Sequence, residues 1–309
     1  MILGGSSGFG LATARKLAAH GMNLCIVHRD RRGAMSRIQP EFDRLRESGV
    51  SLVTTNTDAL DPERRAEILS ALAEKMGAGR VRVLLHSIAF GNLKLIAPEA
   101  LRQRQTGSGL DVRAALAGKL GVDAVKLAAA ADELLAAGHD ELSELATPPV
   151  YPDRSFLDSD DFSRTIHSMG TSLLDWTQDL LARGLFGADA RVFGLTSEGN
   201  TVAWKGYAAV AAAKVALESV ARAIAVELAP HGIRCNVIQA GVTETPALAA
   251  IPGSAQLKAS ARLRNPFGRL TTPDDVASAI YLLSLDEAAW INGDVIRVDG
   301  GEHVSGVTR

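Results

Sequence analysis

The sequence has little of several features that mark particular protein classes. Only 5% of its 309 residues are aromatic, only two are cysteine, and the formal net charge is −2. Such a small charge gives no electrostatic argument for binding to nucleic acid or to an anionic membrane. No apolar run is long enough to span a bilayer, and no signal peptide precedes the first motif. We therefore expect a soluble cytoplasmic protein.

The two cysteines, Cys25 and Cys235, each lie within an apolar run typical of a buried strand. This placement predicts structural thiols. A chain of this length can bury a large core in one domain, or in one domain with an elaboration. We found no spacing around His139 or His167 that predicts a metal site.

Apolar strands alternate with amphipathic helices from the first residue onward. This pattern predicts an α/β fold with a doubly wound parallel sheet (a Rossmann fold), whose ligands bind beyond the carboxyl ends of the strands. The first strand is very short, so we hypothesise that the native protein begins upstream of Met1. The predicted strands are 1–3, 23–27, 51–55, 81–85, 191–195, 234–238 and 294–298. The predicted helices are 11–20, 39–48, 62–76, 162–181, a helix carrying Tyr207 and Lys214, and 273–284.

A glycine-rich loop joins the first predicted strand to the first helix. Its glycines follow the pattern Gly4-x-x-x-Gly8-x-Gly10, with Ser6, Ser7 and Phe9 between them. Glycines at such a place allow a tight turn and a close approach of the backbone to a pyrophosphate at the helix N-terminus. The spacing also occurs in ordinary turns. Its position in the first strand–helix unit favours a dinucleotide site.

The tip of the second strand indicates which dinucleotide is used. An acidic residue there would hold the ribose diol of NAD, but His28 and Arg29 occupy this place. Cations suit the 2′-phosphate of NADPH. We therefore predict NADPH over NADH, with a solvated basic turn as the alternative interpretation.

Three residues near the middle of the chain form a candidate catalytic group. Tyr207 follows Ser197 by ten residues, and Lys214 follows Tyr207 by seven. On a helix, residues seven apart differ in azimuth by only about 20°, so Tyr207 and Lys214 would project from one face. An ammonium near a phenol lowers the pKa of the phenol, which suits a group that donates to an oxygen gaining charge. Surface residues often show the same spacing.

Together these motifs resemble the short-chain dehydrogenase/reductase superfamily, over about residues 1–92 and 160–303. The resemblance implies that further segments bind the cofactor: Asp58 and Ala59 the adenine, the loop 241–245 the nicotinamide carboxamide, and the stretch 86–90 after the fourth strand. That stretch is similar to bacterial enoyl-acyl-carrier-protein reductases, and residues 298–301 resemble the C-terminal strand signature. The implied cofactor contacts are Gly4, Ser6, Ser7, Gly8, Phe9, Gly10, His28, Arg29, Asp58, Ala59, Ser87, Ile88, Ala89, Lys214, Gly241, Thr243 and Thr245.

The catalytic spacing separates the branches of this superfamily. Most members place the tyrosine four residues before the lysine, where this chain has Val210, whereas enoyl reductases place it seven before, at Tyr207. The resemblance therefore implies an NADPH-dependent reductase of enoyl thioesters in fatty acid biosynthesis, with Tyr207, Lys214 and Ser197 as catalytic residues. The substrate would be carried by acyl carrier protein or coenzyme A. A carbonyl reductase is the first alternative, and a non-catalytic NADP-binding regulator the second.

The chain also departs from the enoyl reductase pattern. Ser197 stands where many of these enzymes have a second tyrosine, and Ser168 lies near the asparagine that standard members use in a proton relay. The stretch 251–256, where docking residues for the carrier protein are usual, is uncharged, and Lys258, Arg262 and Arg264 come later. The resemblance further implies a homo-oligomer, a tetramer or a dimer.

Residues 93–160 form an insertion after the fourth strand, roughly fifty residues longer than the family's connection. Within the single domain 1–309 we predict an alanine-rich helical pair here, with Asp111 capping 112–120 and Asp123 capping 124–137. The insertion would be a lid or pocket wall, or else a packing decoration. Trp204 and Phe267 are expected either in the substrate pocket or in the core.

Overall fold

The computed structural model describes residues 1–98, 112–151 and 155–306. Within these ranges seven parallel strands form one sheet in the order β3-β2-β1-β4-β5-β6-β7. The order reverses between β1 and β4, which opens a crevice at the carboxyl ends of the strands. The predicted doubly wound parallel sheet is confirmed. The strands are β1 Ile2–Leu3, β2 Leu24–His28, β3 Leu52–Asn56, β4 Val81–His86, β5 Phe186–Ser197, β6 Ile233–Ala240 and β7 Val295–Val298.

Helices cover both faces of this sheet, and their ends follow local sequence signals. Helix α3, for example, starts with a proline after Asp61, whose carboxylate accepts hydrogen bonds from two first-turn amides. The helices are α1 Gly8–Ala19, α2 Met35–Glu47, α3 Pro62–Met76, α4 Val112–Leu120, α5 Ala124–Ala136, α6 Ser159–Ile166, α7 Ser172–Ala182, α8 Ala208–Glu227, α9 Pro246–Ala249, α10 Ser254–Arg264 and α11 Pro273–Leu283. No described helix is long and apolar enough to cross a membrane.

Two apolar cores, one on each face of the sheet, hold these layers together. Successive strand residues point to opposite faces, so Ile2 packs in one core while Leu3 packs in the other. Trp176 is fully buried on the Leu3 side and Phe42 on the Ile2 side. Each large side chain buried in this way contributes about 1.5–3 kcal/mol. The cores fix the strand ends on which the site residues sit.

The helix predicted over 162–181 is interrupted, which corrects the sequence-based expectation. A π-helical turn, His167–Thr171, separates α6 from α7. At Gly170 an added Cβ would lie 2.7 Å from the carbonyl oxygen of Ala213 in α8. The hydroxyl of Ser168 donates to the carbonyl of Phe90. The turn thus lets α8 approach closely and ties this segment to the loop after β4.

The insertion forms the two predicted helices, α4 and α5. Asp123 caps α5 as predicted, its carboxylate accepting from the amides of Val125 and Lys126. The prediction for Asp111 lies outside the described residues. Several of the larger apolar side chains are exposed, Val125 by 76%, and alanines supply most of the buried face. The pair packs through small side chains, which permits close approach to α10.

Candidate active site

A wide cleft of about 490 Å³ lies at the carboxyl ends of the first strands. It contains most of the predicted cofactor contacts: Gly4, Ser6, Ser7, Gly8, Phe9, His28, Arg29, Asp58, Ala59, Ser87, Ile88, Ala89 and Thr245. These residues come from five separate loops, and the sheet topology brings them to one edge. Gly10 does not line the cleft, because it serves the packing beneath it.

The glycine loop is shaped by close backbone contacts. Gly4 has φ +84°, and a Cβ there would lie 2.5 Å from the carbonyl oxygen of Ser87. A Cβ on Gly10 would overlap the carbonyl oxygen of Gly4. Gly8 has φ +51°, and its Cβ position lies 3.5 Å from the Thr245 side chain. The loop therefore forms a concave cradle of backbone, and side chains at Gly4 and Gly10 would collide with neighbouring atoms.

Helix α1 begins in this cradle with its N-terminus open to the cleft. Its N-cap, Ser7, makes no side-chain capping bond, and the first turn holds no acidic residue. The first amides of a helix have no partner inside the helix, and the helix dipole favours an anion beside them. A dinucleotide pyrophosphate fits this cradle in size, in charge and in donor geometry.

Of the two predicted residues at the tip of β2, only Arg29 places an exposed charged group at the cleft. The ring of His28 is buried, bonded through Nδ1 to Asp30 (2.8 Å) and packed against Phe42. The guanidinium of Arg29 is half exposed, lies 4.5 Å from the centre of the Phe90 ring and pairs with Asp58 at 2.7 Å. The cation at this rim is therefore Arg29, and two carboxylates share the rim with it.

A second, smaller cavity of about 180 Å³ adjoins the cleft and holds the predicted catalytic residues. Ser197, Tyr207 and Lys214 all line it, together with Gly241 and Thr243. The two cavities share Phe9, Ser87, Ile88, Ala89, Gly91, Thr245 and Ala247. Most of the remaining wall is apolar: Leu93, Met169, Leu195, Trp204, Val210, Ala240, Val242, Leu248, Ile251 and Leu257. Thr196 and Glu198 are its polar members. The wide cleft thus leads directly into the smaller cavity.

Tyr207 stands at the N-cap of α8, after the positive-φ residue Gly206, rather than within the helix. Burial raises the pKa of its phenol, and the nearby Ser197 hydroxyl offsets part of this effect. Lys214 does not contribute, so the predicted lowering of the Tyr207 pKa by the lysine is wrong. A buried phenol of this kind stays protonated and can donate a hydrogen bond.

Ser197 ends β5 and presents a free hydroxyl to the small cavity. Its Oγ is buried and makes no hydrogen bond of normal geometry to any described residue. The hydroxyl is nevertheless close enough to Tyr207 to act on its pKa. A buried polar group without a partner costs stability unless a ligand satisfies it. Ser197 is therefore available as a donor to a bound oxygen.

Lys214 lies in α8, seven residues after the N-cap Tyr207, and is itself buried. Its Nζ donates to the carbonyl oxygen of Leu195 at 2.8 Å. Burial lowers the pKa of the ammonium to about 8, against the opposing effect of Glu218. The ammonium thus sits on the wall of the cavity with donor capacity left for a ligand.

His86 at the end of β4 serves the structure beneath the cavity. Its Nε2 shares a hydrogen bond with Ser172 Oγ at 2.8 Å. Burial and the charge of Lys214 lower its pKa to about 3, so the imidazole is neutral. The hydroxyl of Ser168 likewise donates to backbone carbonyls, those of Phe90 and of Thr165 in α6. Neither residue lines a cavity.

The loop after β6 forms the far wall. The Thr243 hydroxyl donates to the carbonyl of Gly241 at 2.9 Å, and the Thr245 side chain caps α9. At Gly241 a Cβ would overlap the hydroxyl of Thr271. The loop is thus held by its own polar groups, and Gly241, Val242, Thr243 and Thr245 line the small cavity.

A buried ion cluster beside this wall had no sequence signal. Arg264 of α10 pairs with Glu198 (2.8 Å) and with Glu302 (3.1 Å), and Glu302 also accepts from the amide of Val242 at 3.2 Å. Burial, with the charge of Glu198 second, raises the pKa of Glu302 to about 7. Residues this far apart in sequence have no periodicity that would join them.

Of the two predicted pocket aromatics, one is confirmed and one is wrong. Trp204 lines the small cavity and packs edge-on against Tyr207, with ring centres 5.3 Å apart. Phe267 is 77% exposed, so it belongs neither to the pocket nor to the core. Gly199, which sequence reasoning missed, makes room for this arrangement because its Cβ would lie 2.6 Å from the Tyr207 ring.

Comparison with known protein families identifies the family of this chain. A family model described as enoyl-(acyl carrier protein) reductase matches residues 4–110 and 151–303. The chain belongs to this family. The match leaves out most of the insertion and includes both cavities. It confirms the resemblance to the short-chain dehydrogenase/reductase superfamily that the motifs indicated.

Individual members of the family and its neighbours match over shorter segments. Over 136 residues the chain is 36% identical to the NADH-dependent enoyl-acyl-carrier-protein reductase FabI of Aquifex aeolicus, covering 44% of this chain and 50% of that protein. It is 40% identical over 90 residues to cis-4-hydroxycyclohexanecarboxylate dehydrogenase of Sinomonas cyclohexanicum, covering 29% of this chain and 35% of that protein. The aligned segments thus span half or less of these curated relatives.

Solved structures of this enoyl reductase family share the fold over nearly the whole chain. The Aquifex aeolicus enzyme superposes with a TM-score of 0.70 at 22% identity, covering 99% of this chain and 97% of that one. FabI from Candidatus Liberibacter asiaticus gives 0.70 at 18% identity, covering 99% and 95%. At such identities the likeness establishes the Rossmann-type architecture.

Proposed function

We propose that this protein is an NADPH-dependent reductase of α,β-unsaturated acyl thioesters. The observation that carries the proposal is the small cavity, where the protonated phenol of Tyr207 and the unpartnered hydroxyl of Ser197 meet on one apolar wall. The seven-residue spacing from Tyr207 to Lys214 supports enoyl over carbonyl reduction. Family membership supports the same reading.

Binding of the dinucleotide would use backbone at one end and side chains at the other. The glycine loop and the N-terminus of α1 would receive the pyrophosphate, and Asp58 and Ala59 the adenine side. At the other end the Gly241–Thr245 loop and the ammonium of Lys214 would hold the nicotinamide and its ribose. When bound, the cofactor supplies the hydride that reduces the substrate.

The residues of the small cavity would then stabilise the negative charge that develops on the substrate. As Cβ gains a hydride, the electron pair of the C=C bond shifts and the thioester oxygen becomes an enolate. Tyr207 and Ser197 would each donate a hydrogen bond to that oxygen and keep their protons. The α-carbon afterwards takes a proton from solvent, and the saturated thioester leaves. Fixed donors in a dry, apolar site are effective because they need no reorganisation.

Arg29 would set the preference for NADPH. Its guanidinium already stands at the cleft rim over Phe90. A 2′-phosphate would compete with Asp58 for it, and a doubly charged phosphate is the stronger partner. Replacing Arg29 by Gln should lower kcat/KM with NADPH by about tenfold, which corresponds to about 1.4 kcal/mol. The value of kcat/KM with NADH should not change. Arg31→Gln, outside the cleft lining, is the control.

The carrier of the thioester, acyl carrier protein or coenzyme A, remains a prediction. The three basic residues after the uncharged stretch are all engaged within the chain. Lys258 pairs with Glu244, Arg262 with Asp140, and Arg264 with Glu198 and Glu302. A carrier protein docking at α10 would have to compete with these acids. Homo-oligomer formation likewise stays a prediction.

A spectrophotometric assay tests the proposal. We expect NADPH absorbance to fall with crotonyl thioesters of coenzyme A or of a short pantetheine. Turnover of ketones and aldehydes without turnover of any enoyl thioester would overturn it in favour of the carbonyl reductase alternative, which the similarity to a hydroxyacid dehydrogenase supports. NADPH binding without turnover of either class would favour a non-catalytic regulator.

A further inference from the structure

Leu93, at the start of the insertion, lines the small cavity. Residues 112–151 of the insertion line neither cavity, yet they pack on a helix that does. Helix α10 offers Leu257 to the small cavity, and Ile251 just before the helix lines the same space. On its other side α10 buries Ala259 against Leu135 of α5 and Ala146 of the insertion. The helix is thus held between the small cavity and the insertion.

A bidentate ion pair fastens this contact. The Arg262 guanidinium donates to both carboxylate oxygens of Asp140, each at 2.6 Å, and Asp140 is only 7% exposed. Two parallel charge-assisted hydrogen bonds fix orientation as well as distance. The neighbouring Glu141 is exposed, so the chain itself provides a comparison between a pairing and a non-pairing acid in one turn.

Two further contacts secure the start of α10. The Gln256 amide donates to the carbonyl oxygen of Thr147 at 2.8 Å. Gly253, at φ +78°, packs against Pro149, with a Cβ position 3.1 Å from that ring. Thr147 is itself fixed by Asp132 of α5 through its amide (2.8 Å) and its hydroxyl (2.6 Å). The insertion therefore holds both the first turn and the last turn of α10.

The cavity that α10 borders is small. Its volume of about 180 Å³ is below the roughly 300–1,000 Å³ of most ligand pockets, and its walls are mainly apolar. A long acyl chain would press on the wall that α10 supplies through Leu257, and the contacts just described oppose an outward movement of that wall. A short acyl group would need no such movement.

Building on the proposed function, we infer that the insertion is a clamp that restricts this enzyme to compact, apolar enoyl groups. Asp140 and Arg262 are positioning residues, because they act on the substrate only through α10. The clamp accounts for residues 112–150 of the insertion, which the family match leaves out and which line neither cavity.

The test compares Asp140→Asn with Glu141→Gln, which removes the same charge from the adjacent exposed position. In the wild type and in Glu141→Gln we expect kcat/KM for a four-carbon enoyl thioester to exceed that for a twelve-carbon one by at least about tenfold. In Asp140→Asn the ratio should fall to within about threefold, through a lower KM for the long substrate. Asp140→Glu, which keeps the charge, should restore part of the ratio.

Amide hydrogen exchange of residues 254–264, in protein without substrate, tests the clamp independently of any activity. Exchange there should be faster in Asp140→Asn than in Glu141→Gln. Equal exchange, or an equal loss of activity at both chain lengths, would overturn the inference. If no enoyl thioester is turned over, the proposed function fails, and the exchange comparison still decides whether the insertion holds α10.

Discussion

The two cavities of this protein are built in different ways. The wide cleft at the first strands is made by backbone: a glycine loop, a helix N-terminus and loops that follow strand ends. The small cavity is made by side chains, a phenol, a hydroxyl and an ammonium, inside a mainly apolar wall to which α10 contributes Leu257. Under the proposed function, the first would receive a cofactor common to many enzymes, whereas the second would determine which molecule is reduced.

This difference explains where each cavity is sensitive. A backbone cradle tolerates most side-chain changes but not an added Cβ at its tight glycines. A side-chain chamber depends on single functional groups and on the ion pairs that hold its walls. Substitutions in the wide cleft should therefore weaken cofactor binding, whereas substitutions in the small cavity should lower turnover and leave cofactor binding unchanged.

The largest effect is expected from Tyr207→Phe. Loss of the hydroxyl removes the donor to the enolate oxygen, and turnover should fall by about 10²–10³-fold. The dissociation constant of NADPH should stay within about twofold, because the cleft is untouched. Steady-state kinetics and fluorescence titration measure the two. Tyr281→Phe, on the distant α11, is the control, and equal turnover in the two variants would contradict the role given to Tyr207.

Gly10→Ala should show the opposite pattern. The new Cβ would overlap the carbonyl of Gly4, so the cradle must shift and NADPH should bind about tenfold or more weakly. Gly33→Ala adds a methyl where no atom lies within 4 Å and should bind normally. Calorimetric titration compares the two variants, with thermal unfolding to confirm that both are folded. Unchanged affinity in a folded Gly10→Ala would break the backbone account of the cleft.

Arg264→Met tests the ion cluster behind the small cavity. It leaves the buried carboxylates of Glu198 and Glu302 without their cation, and the free energy of unfolding should fall by about 2–4 kcal/mol. Arg164→Gln breaks an exposed pair with Asp160 (3.9 Å apart) and should cost less than about 0.5 kcal/mol. Denaturant unfolding measures both changes. Equal losses would show that Arg264 is no more than a surface cation.

A pH dependence of stability from Glu302 is the last effect that we predict. Its pKa in the folded protein is raised to about 7 from the usual 4.5, so the folded state keeps a proton that the unfolded chain releases. Protonated Glu302 therefore stabilises the folded state at low pH, and the free energy of unfolding falls as pH rises from about 4.5 to 7. Glu302→Gln should lack this decline. Parallel melting curves for the two proteins across that range would argue against it.

The sequence predicted the cleft better than the chamber, for a physical reason. Glycine spacing and strand-end residues are local signals, and the parallel sheet necessarily brings them to one edge. The cluster of Arg264 with Glu198 and Glu302 joins distant segments and has no local pattern. The same holds for Asp140 against Arg262. The pKa of Tyr207 depended on burial, which the spacing to Lys214 could not reveal.

A competition experiment tests the central claim most directly. Equal concentrations of crotonyl and acetoacetyl thioesters compete for a limiting amount of NADPH, and mass spectrometry counts the butanoyl and 3-hydroxybutanoyl products. The product ratio equals the ratio of the two kcat/KM values, whatever the enzyme concentration. An enoyl reductase predicts a butanoyl excess of at least about tenfold. A 3-hydroxybutanoyl excess would contradict the account and identify a carbonyl reductase.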